Sequence, residues 1–315
     1  MKDLVPVGVP AIDEVMQTVT KRLHSERSKI EYIQDANVFA KFLIERGKTS
    51  AQEITYVDMV NYQDWLAVNQ DTNKHRSRRR INRMFSVARQ VLDIHKRMGT
   101  LAYNPAEAID SLAVDEDASP HIALNKEQAT ALLAAIDTST RYGKQEYAVM
   151  SLLLRTGLRR AECASLKVKD LDMDSGHYIA RVLGKGGMNS IVKVPVDVKN
   201  YIQEWLDASG RTVTLESPLF VGFSRGDHPT AIQINPKWIE RMVVKYASKI
   251  GMKRFTPHSL RASFITLVLE NDATLIQTQY AARHKDPRQT ERYQRRKLNL
   301  NDNAVDKLSF LSRRD

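Results

Sequence analysis

The segment Val114-Asp115-Glu116-Asp117-Ala118-Ser119-Pro120 is acidic, small and closed by a proline. It interrupts a chain whose apolar residues otherwise recur mostly at helical spacing. Such a composition does not build a core and belongs to a linker. A chain of 315 residues divided there has room for two domains, and 42% hydrophobic residues suffice for a packed core in at least one of them. The expected division is a helical domain over 1–112, a linker over 113–121 and a second domain over 122–315.

The first domain reads as helices. Residues 30–46 carry Tyr32, Ile33, Ala36, Phe39, Ala40, Leu43 and Ile44 at helical spacing, with Gly47 as a stop. Residues 57–68 form a shorter helix. A third, over 73–98, shows an apolar stripe of Ile81, Phe85, Ala88 and Leu92. Arg76, Arg78, Arg79, Arg80 and Arg83 crowd its first part with no interleaved acid. Five like charges at the positive end of a helix dipole repel one another unless an anion relieves them. Phosphate contact is therefore expected there, against the blander alternative of a solvated face.

The second domain opens at Asn125-Lys126-Glu127-Gln128, which has the pattern of a capping box, and continues helical to about Ser165. Over 172–196 the character changes. Tyr178, Ile179 and Val182, then Ile191, Val192 and Val194, suggest two strands joined by Gly184-Lys185-Gly186-Gly187. Helices resume from about 196 and are expected at 236–250, 257–269, 273–282 and 287–297. An amphipathic helix carrying Val305, Leu308, Phe310 and Leu311 is expected near the end. The fold class is mainly α, with a small antiparallel β-sheet in the C-terminal domain.

Charge narrows the partners. Lys and Arg number 48 against 37 Asp and Glu, a net charge of +11, which points to an anion, with nucleic acid ahead of a membrane surface. Cys163 is the one cysteine, so neither an intrachain disulfide nor a cysteine zinc site can form, and a reduced cytoplasmic setting fits. The N-terminal segment lacks the apolar centre of a signal peptide, and no run reaches the roughly 18 apolar residues of a membrane span.

Four segments carry candidate chemistry. In Thr156-Gly157-Leu158-Arg159-Arg160-Ala161-Glu162, Arg159 and Glu162 share a helix face, so the carboxylate can orient the guanidinium; a surface ion pair is the plain alternative. Lys185 at its glycine-rich tip can swing into a neighbouring pocket or remain a solvated turn lysine. In Thr256-Pro257-His258-Ser259-Leu260-Arg261, Thr256 reads as an N-cap and Pro257 as the first helical residue. Arg261 in that first turn is misplaced against the dipole unless an anion completes the site. In the fourth segment, His284 to Tyr293, Asp286, Pro287 and Gln289 suit the start of a helix on which Tyr293 falls two turns along. A loop histidine and a half-buried core tyrosine are the alternatives.

Taken together, these segments resemble the signature of the tyrosine recombinases, or phage integrase family. That signature is an arginine in T-G-L-R-x-x-E, a lysine in a G-K-G hairpin, an H-x-x-R pair, and a second histidine nine residues before a tyrosine. Arg159, Lys185, His258 with Arg261, His284 and Tyr293 occur in that order, with the nine-residue interval kept. The helical first domain is similar to the family's core-binding domain. Two departures stand out: Arg283 precedes His284 where the family usually has glycine, and the Lys185 hairpin is longer than usual.

The resemblance implies two domains closing as a clamp on double-stranded DNA at specific recombination sites, and a homotetramer on paired sites. It implies transesterification without a metal or other cofactor. Tyr293 would attack a phosphorus and form a 3′-phosphotyrosyl bond. Arg159 and Arg261 would hold the non-bridging oxygens, with His258 and His284 adding hydrogen bonds. Lys185 would protonate the departing 5′-oxygen, and Glu162 would orient Arg159. A separate arm-binding domain before the first helix is not expected. A type IB topoisomerase-like relaxing enzyme and a non-catalytic DNA-binding protein are the alternatives. A metal-dependent nuclease is weaker, because cations rather than carboxylates gather around His258, Arg261 and His284.

Overall fold

Two units make up the chain in a computed structural model, Met1–Glu116 and Asp117–Asp315. Residues 8–21, 23, 26–69, 72, 74–114, 122–183 and 189–295 are described. Lys185 and the C-terminal segment with Val305, Leu308, Phe310 and Leu311 lie outside them.

The first unit holds helices α1 (Pro10–Lys21), α2 (Glu26–Ile44), α3 (Tyr56–Trp65) and α4 (Arg78–Arg97). The apolar stripes expected from spacing meet in one core. Phe39, Phe42, Tyr62 and Phe85 are buried there, and the Phe39 and Tyr62 ring centroids lie 4.8 Å apart. Between α3 and α4, strands β1 (Val68–Asn69) and β2 (Lys74–His75) pair antiparallel. The arginine-rich helix therefore starts five residues later than its spacing predicts. Ser77 caps it, its hydroxyl accepting the Arg80 N–H at 3.3 Å. Asn104 fixes the exit from α4, donating to Asp93 at 2.6 Å and to the Arg89 carbonyl at 3.1 Å.

The arginine cluster is not uncompensated. Asp35 on α2, 1% exposed, lies 2.9 Å from Arg80 and 2.8 Å from Arg83, and Glu31 accepts from Arg83 at 2.6 Å. Arg76 donates to the carbonyls of Leu66 and Val68, and Arg78 to that of Ala113. The acids come from a helix distant in sequence, which a reading of local charge cannot see. Arg79 is exposed.

The second unit begins with α5 (Lys126–Ala134), α6 (Arg141–Thr156) and α7 (Arg160–Ser165). Asn125 and Gln128 form the expected capping box. Helix α6 is the central element, with Ala148, Val149, Met150, Leu152 and Leu153 all buried. Strands β3 (Leu171–Asp174), β4 (His177–Leu183) and β5 (Asn189–Lys193) form an antiparallel sheet in sequence order. The β4–β5 register runs from Ile179 opposite Lys193 to Leu183 opposite Asn189, so the Lys185 segment joins the two strands. Helix α8 (Val196–Ser209) packs on α6.

A second hairpin, β6 (Val221–Ser224) with β7 (His228–Gln233), stands where only helices were expected. Its tip carries Gly226 and Asp227, both at positive φ. The buried side-chain amide of Gln145 on α6 donates to the Val221 carbonyl at 2.8 Å and accepts its N–H at 2.7 Å, so a side chain serves as a strand partner. Helices α9 (Pro236–Lys249), α10 (Pro257–Glu270), α11 (Leu275–Ala282) and α12 (Arg288–Arg295) follow. Among the described residues no helix is long and apolar enough to cross a membrane.

Candidate active site

Helix α6 ends on Gly157 in the left-handed region, at φ 61°. A Cβ there would sit 2.5 Å from Cδ1 of Phe264 on α10, so both the backbone angle and the space demand glycine. The turn delivers Arg159 to the N-cap of α7, one turn before Glu162. Glu162 is 5% exposed. Its Oε1 accepts from Arg159 Nη1 at 2.7 Å, and its Oε2 accepts the Arg159 backbone N–H at 2.8 Å. The predicted pair is therefore buried on the acid's side and closed by two bonds, unlike a loose surface ion pair.

Thr256 caps α10, Pro257 opens it, and His258 and Arg261 follow in the first turn. Arg261 is 5% exposed. Its guanidinium spans two segments, with Nη1 donating to the Gly157 carbonyl and Nη2 to that of Ala282. Arg159, His258 and Arg261 line one cleft of about 410 Å³, whose rim carries the ion pair of Arg160 with Glu240.

Helix α11 ends with Arg283 in the left-handed region, φ 55° and ψ 44°. An L-residue other than glycine holds that conformation at a cost of about 1–2 kcal/mol. Three consecutive residues there reach three parts of the site. The Ala282 carbonyl accepts from Arg261, and Arg283 Nη2 donates to Glu162 Oε2 at 2.7 Å. His284 Nδ1 lies 2.8 Å from the hydroxyl of Thr290 on α12. The Tyr293 ring packs near His284, centroids 6.5 Å apart and planes 19° from parallel, and is partly buried against Phe264, Ile265 and Ala282. Tyr293 is not among the residues that line the cleft; it adjoins the cluster through His284.

The model of the phage integrase family matches residues 123–299. Tyrosine recombinase XerC of Pelobacter propionicus is 31% identical over 277 residues, which cover 87% of this chain and 86% of the relative. The chain belongs to the phage integrase family. It is a site-specific DNA recombinase of the tyrosine type, and the relaxing-enzyme and non-catalytic readings are not favoured. Tyrosine recombinase XerD of Lacticaseibacillus casei is 27% identical, covering 84% of this chain and 86% of its own length. The fold is shared with XerH site-specific recombinase bound to palindromic difH substrate, with a TM-score of 0.69 at 18% identity over 90% of this chain and 80% of that one. It is also shared with a lambda integrase dimer bound to a COC′ core site, with a TM-score of 0.67 at 15% identity over 96% and 98%.

In this recombinase Arg159, Arg261, Arg283 and the two histidines crowd around Glu162 beside the cleft. Burial pulls His284 down to about 4, and Arg261, Arg159, His258 and Arg283 all push the same way. Burial, then Arg261 and Arg159, also holds His258 below the ordinary histidine value. Burial lowers Arg261 to about 10, helped by Arg159 and Arg283 and opposed by Glu162 and Tyr293. For Glu162, burial raises the carboxyl, but the bonds from Arg159 and the charges of Arg283 and Arg159 outweigh it and hold it below the usual range. At neutral pH the two histidines are therefore uncharged and Arg261 is charged. An anion entering the pocket favours the protonated imidazoles and reverses part of their depression.

The fold thus gathers Arg159, His258 and Arg261 in the cleft, with His284 and Tyr293 adjoining. Lys185 falls outside the described residues, and Arg76, Arg78, Arg79, Arg80 and Arg83 belong to the other unit. Motif reading noticed Arg283 only as a departure from glycine and gave it no part in the site. The available signal was a long cation directly before His284, at a position where the family usually has glycine. Thr290, which meets His284, carried no signal of its own. Among the described residues no three His, Cys, Asp or Glu side chains gather to hold a metal ion.

Proposed function

We propose that this recombinase cleaves DNA by attack of Tyr293 Oη on one backbone phosphorus. The new O–P bond forms a 3′-phosphotyrosyl link as the bond to the 5′-oxygen breaks. The phosphoester energy is kept in that link, so rejoining to a new strand needs no nucleotide hydrolysis. His258 takes the phenolic proton and Lys185 supplies one to the departing 5′-oxygen. Arg159 and Arg261 hold the non-bridging oxygens through planar forks that a lysine cannot offer, and His284 adds a hydrogen bond. Glu162 orients Arg159.

The observation that carries this reading is the cleft that Arg159, His258 and Arg261 share, with the His284–Tyr293 pair beside it. Three cations gathered round one carboxylate suit a phosphate that becomes more negative on the way to a five-coordinate state.

The partner is double-stranded DNA at specific recombination sites, engaged as a homotetramer in the cytoplasm. The helical domain over 1–112 contributes to DNA binding and is joined by the 113–121 linker to the catalytic domain over 122–315. Arg76, Arg78, Arg79, Arg80 and Arg83 contribute phosphate contacts there. Of these, exposed Arg79 is best disposed, since Arg80 and Arg83 already pair with acids. Binding then weakens steeply with salt.

The test is covalent capture on a nicked suicide substrate, followed by sequencing of the attached DNA. Wild type forms a DNA-linked species stable on a denaturing gel. Tyr293→Phe binds the same DNA and forms none; adduct recovered from that variant refutes the assignment.

A further inference from the structure

The turn between α11 and α12 contains a residue that the pocket chemistry above leaves unused. A glycine at position 283 would adopt φ 55° without strain. The chain places an arginine there instead and buries it to 11% side-chain exposure. That guanidinium does not return to its own helix. It crosses to α7 and donates Nη2 to Oε2 of Glu162 at 2.7 Å.

Among the described residues Glu162 is the one carboxylate paired with Arg159, and its two oxygens divide their partners. Oε2 takes the Arg159 N–H and Arg283; Oε1 takes the Arg159 guanidinium alone. Arg283 thus pins one oxygen and presents the other to Arg159 in a fixed orientation. It also divides the negative charge of Glu162 between two guanidiniums, so Arg159 keeps more of its positive field for a phosphate. Its neighbours hold the adjoining parts of the site: the Ala282 carbonyl takes Arg261, and His284 meets Thr290 on the helix of Tyr293. A shift of the 282–284 turn moves both pairs at once.

We propose that Arg283 is a positioning residue of the cleavage pocket, acting through Glu162 to hold and electrostatically free Arg159. The proposal rests on the reading that Arg159 contacts the scissile phosphate.

The experiment uses the full-length protein, a nicked suicide substrate, and single-turnover rates of covalent adduct formation beside DNA affinity and thermal unfolding. R283G removes the guanidinium while relieving the backbone. Backbone relief and loss of the buried ion pair are of similar size, so its unfolding midpoint should stay within about 5 °C of wild type, and its DNA affinity should hold. Its cleavage rate should fall roughly 10- to 100-fold, the range for a reacting group displaced by about an ångström. R283K can still make one bond to the carboxylate and should recover part of the rate. In an E162Q background R283G should cost little more. A residue serving stability alone could not lower the rate at a temperature where the variant is fully folded.

Wild-type cleavage by R283G overturns the proposal. So does a full additional loss in the E162Q background, since the effect would then bypass Glu162. If wild type itself forms no adduct, the assignment of cleavage fails first and takes this proposal with it. A cleaving wild type with an equally fast R283G sinks this proposal alone.

Discussion

Replacing Arg261 with lysine separates what the guanidinium does for the fold from what it does for the reaction. In the folded chain Nη1 and Nη2 bind the carbonyls of Gly157 and Ala282, at the ends of two different helices, from a side chain 5% exposed. One ammonium on a shorter stem keeps at most one of those bonds. A lost hydrogen bond from a charged donor, with a buried carbonyl left unmatched, costs about 1.5–3 kcal/mol. For a unit of this size each kcal/mol lowers the unfolding midpoint by about 2–4 °C, so a fall of roughly 3–12 °C is expected. The reaction loses more. Removing one preorganised donor to a developing oxyanion costs about 2–4 kcal/mol, or roughly 30- to 1,000-fold in rate. Scanning calorimetry reads the first quantity, and single-turnover adduct formation at a temperature where the variant is fully folded reads the second. A midpoint within about 1 °C of wild type and a rate within about threefold would refute both the cross-bracing and the phosphate contact.

Gly157→Ala should destabilise the second unit by about 2–4 kcal/mol in urea unfolding, combining left-handed strain with a Cβ driven 2.5 Å from the Phe264 ring; a cost below about 1 kcal/mol would mean that the turn and ring part freely. Acid should weaken the fold through His284. Its folded value near 4 lies below the ordinary 6.5, so its contribution is whole above pH 6.5 and is lost as the pH falls toward 4. His284→Gln should flatten the midpoint-versus-pH curve in that window, and an unchanged slope would assign the acid sensitivity elsewhere. Asp35→Asn should change the stability of the first unit by only about 1 kcal/mol or less, because burial, which pushes the carboxyl up to about 6, offsets its pairing with the partly solvated Arg80 and Arg83. A loss above about 3 kcal/mol in thermal unfolding would show that the pairing outweighs the burial.

Local signals carried most of what motif reading found. The Thr256-Pro257 start of α10 and the Asn125–Gln128 box opening α5 are set by neighbours three residues apart, so sequence displays them directly. The same holds for Arg159 with Glu162 and for the apolar stripe of α4. What was missed depends on residues far apart in the chain. The β6–β7 hairpin leans on Gln145, and the β1–β2 pairing displaces the start of α4. The arginine cluster looked uncompensated because Asp35 and Glu31 sit some forty to fifty residues earlier. A charge count along the sequence measures what must be neutralised, and the fold decides by whom.

Arg283 is the sharper case, because here the departure from a family pattern is itself informative. A residue that needs φ 55° selects against side chains, and a buried cation selects against isolation. An arginine that accepts both costs should have its compensation nearby, and Glu162 at 2.7 Å is that compensation. The same carboxylate faces Arg159, while Arg261 binds the carbonyl beside Arg283. Around Glu162, the three guanidiniums of Arg159, Arg261 and Arg283 leave an excess of two positive charges beside the cleft. Burial first, and repulsion from neighbouring guanidiniums after it, lowers Arg261 and Arg283, so the excess is costly to hold. On the proposed mechanism a bound phosphate supplies one opposing charge, and the five-coordinate state supplies more. Repulsion among the guanidiniums would then be relieved in proportion to the negative charge that develops, and binding that grows along the reaction is the kind that raises a rate.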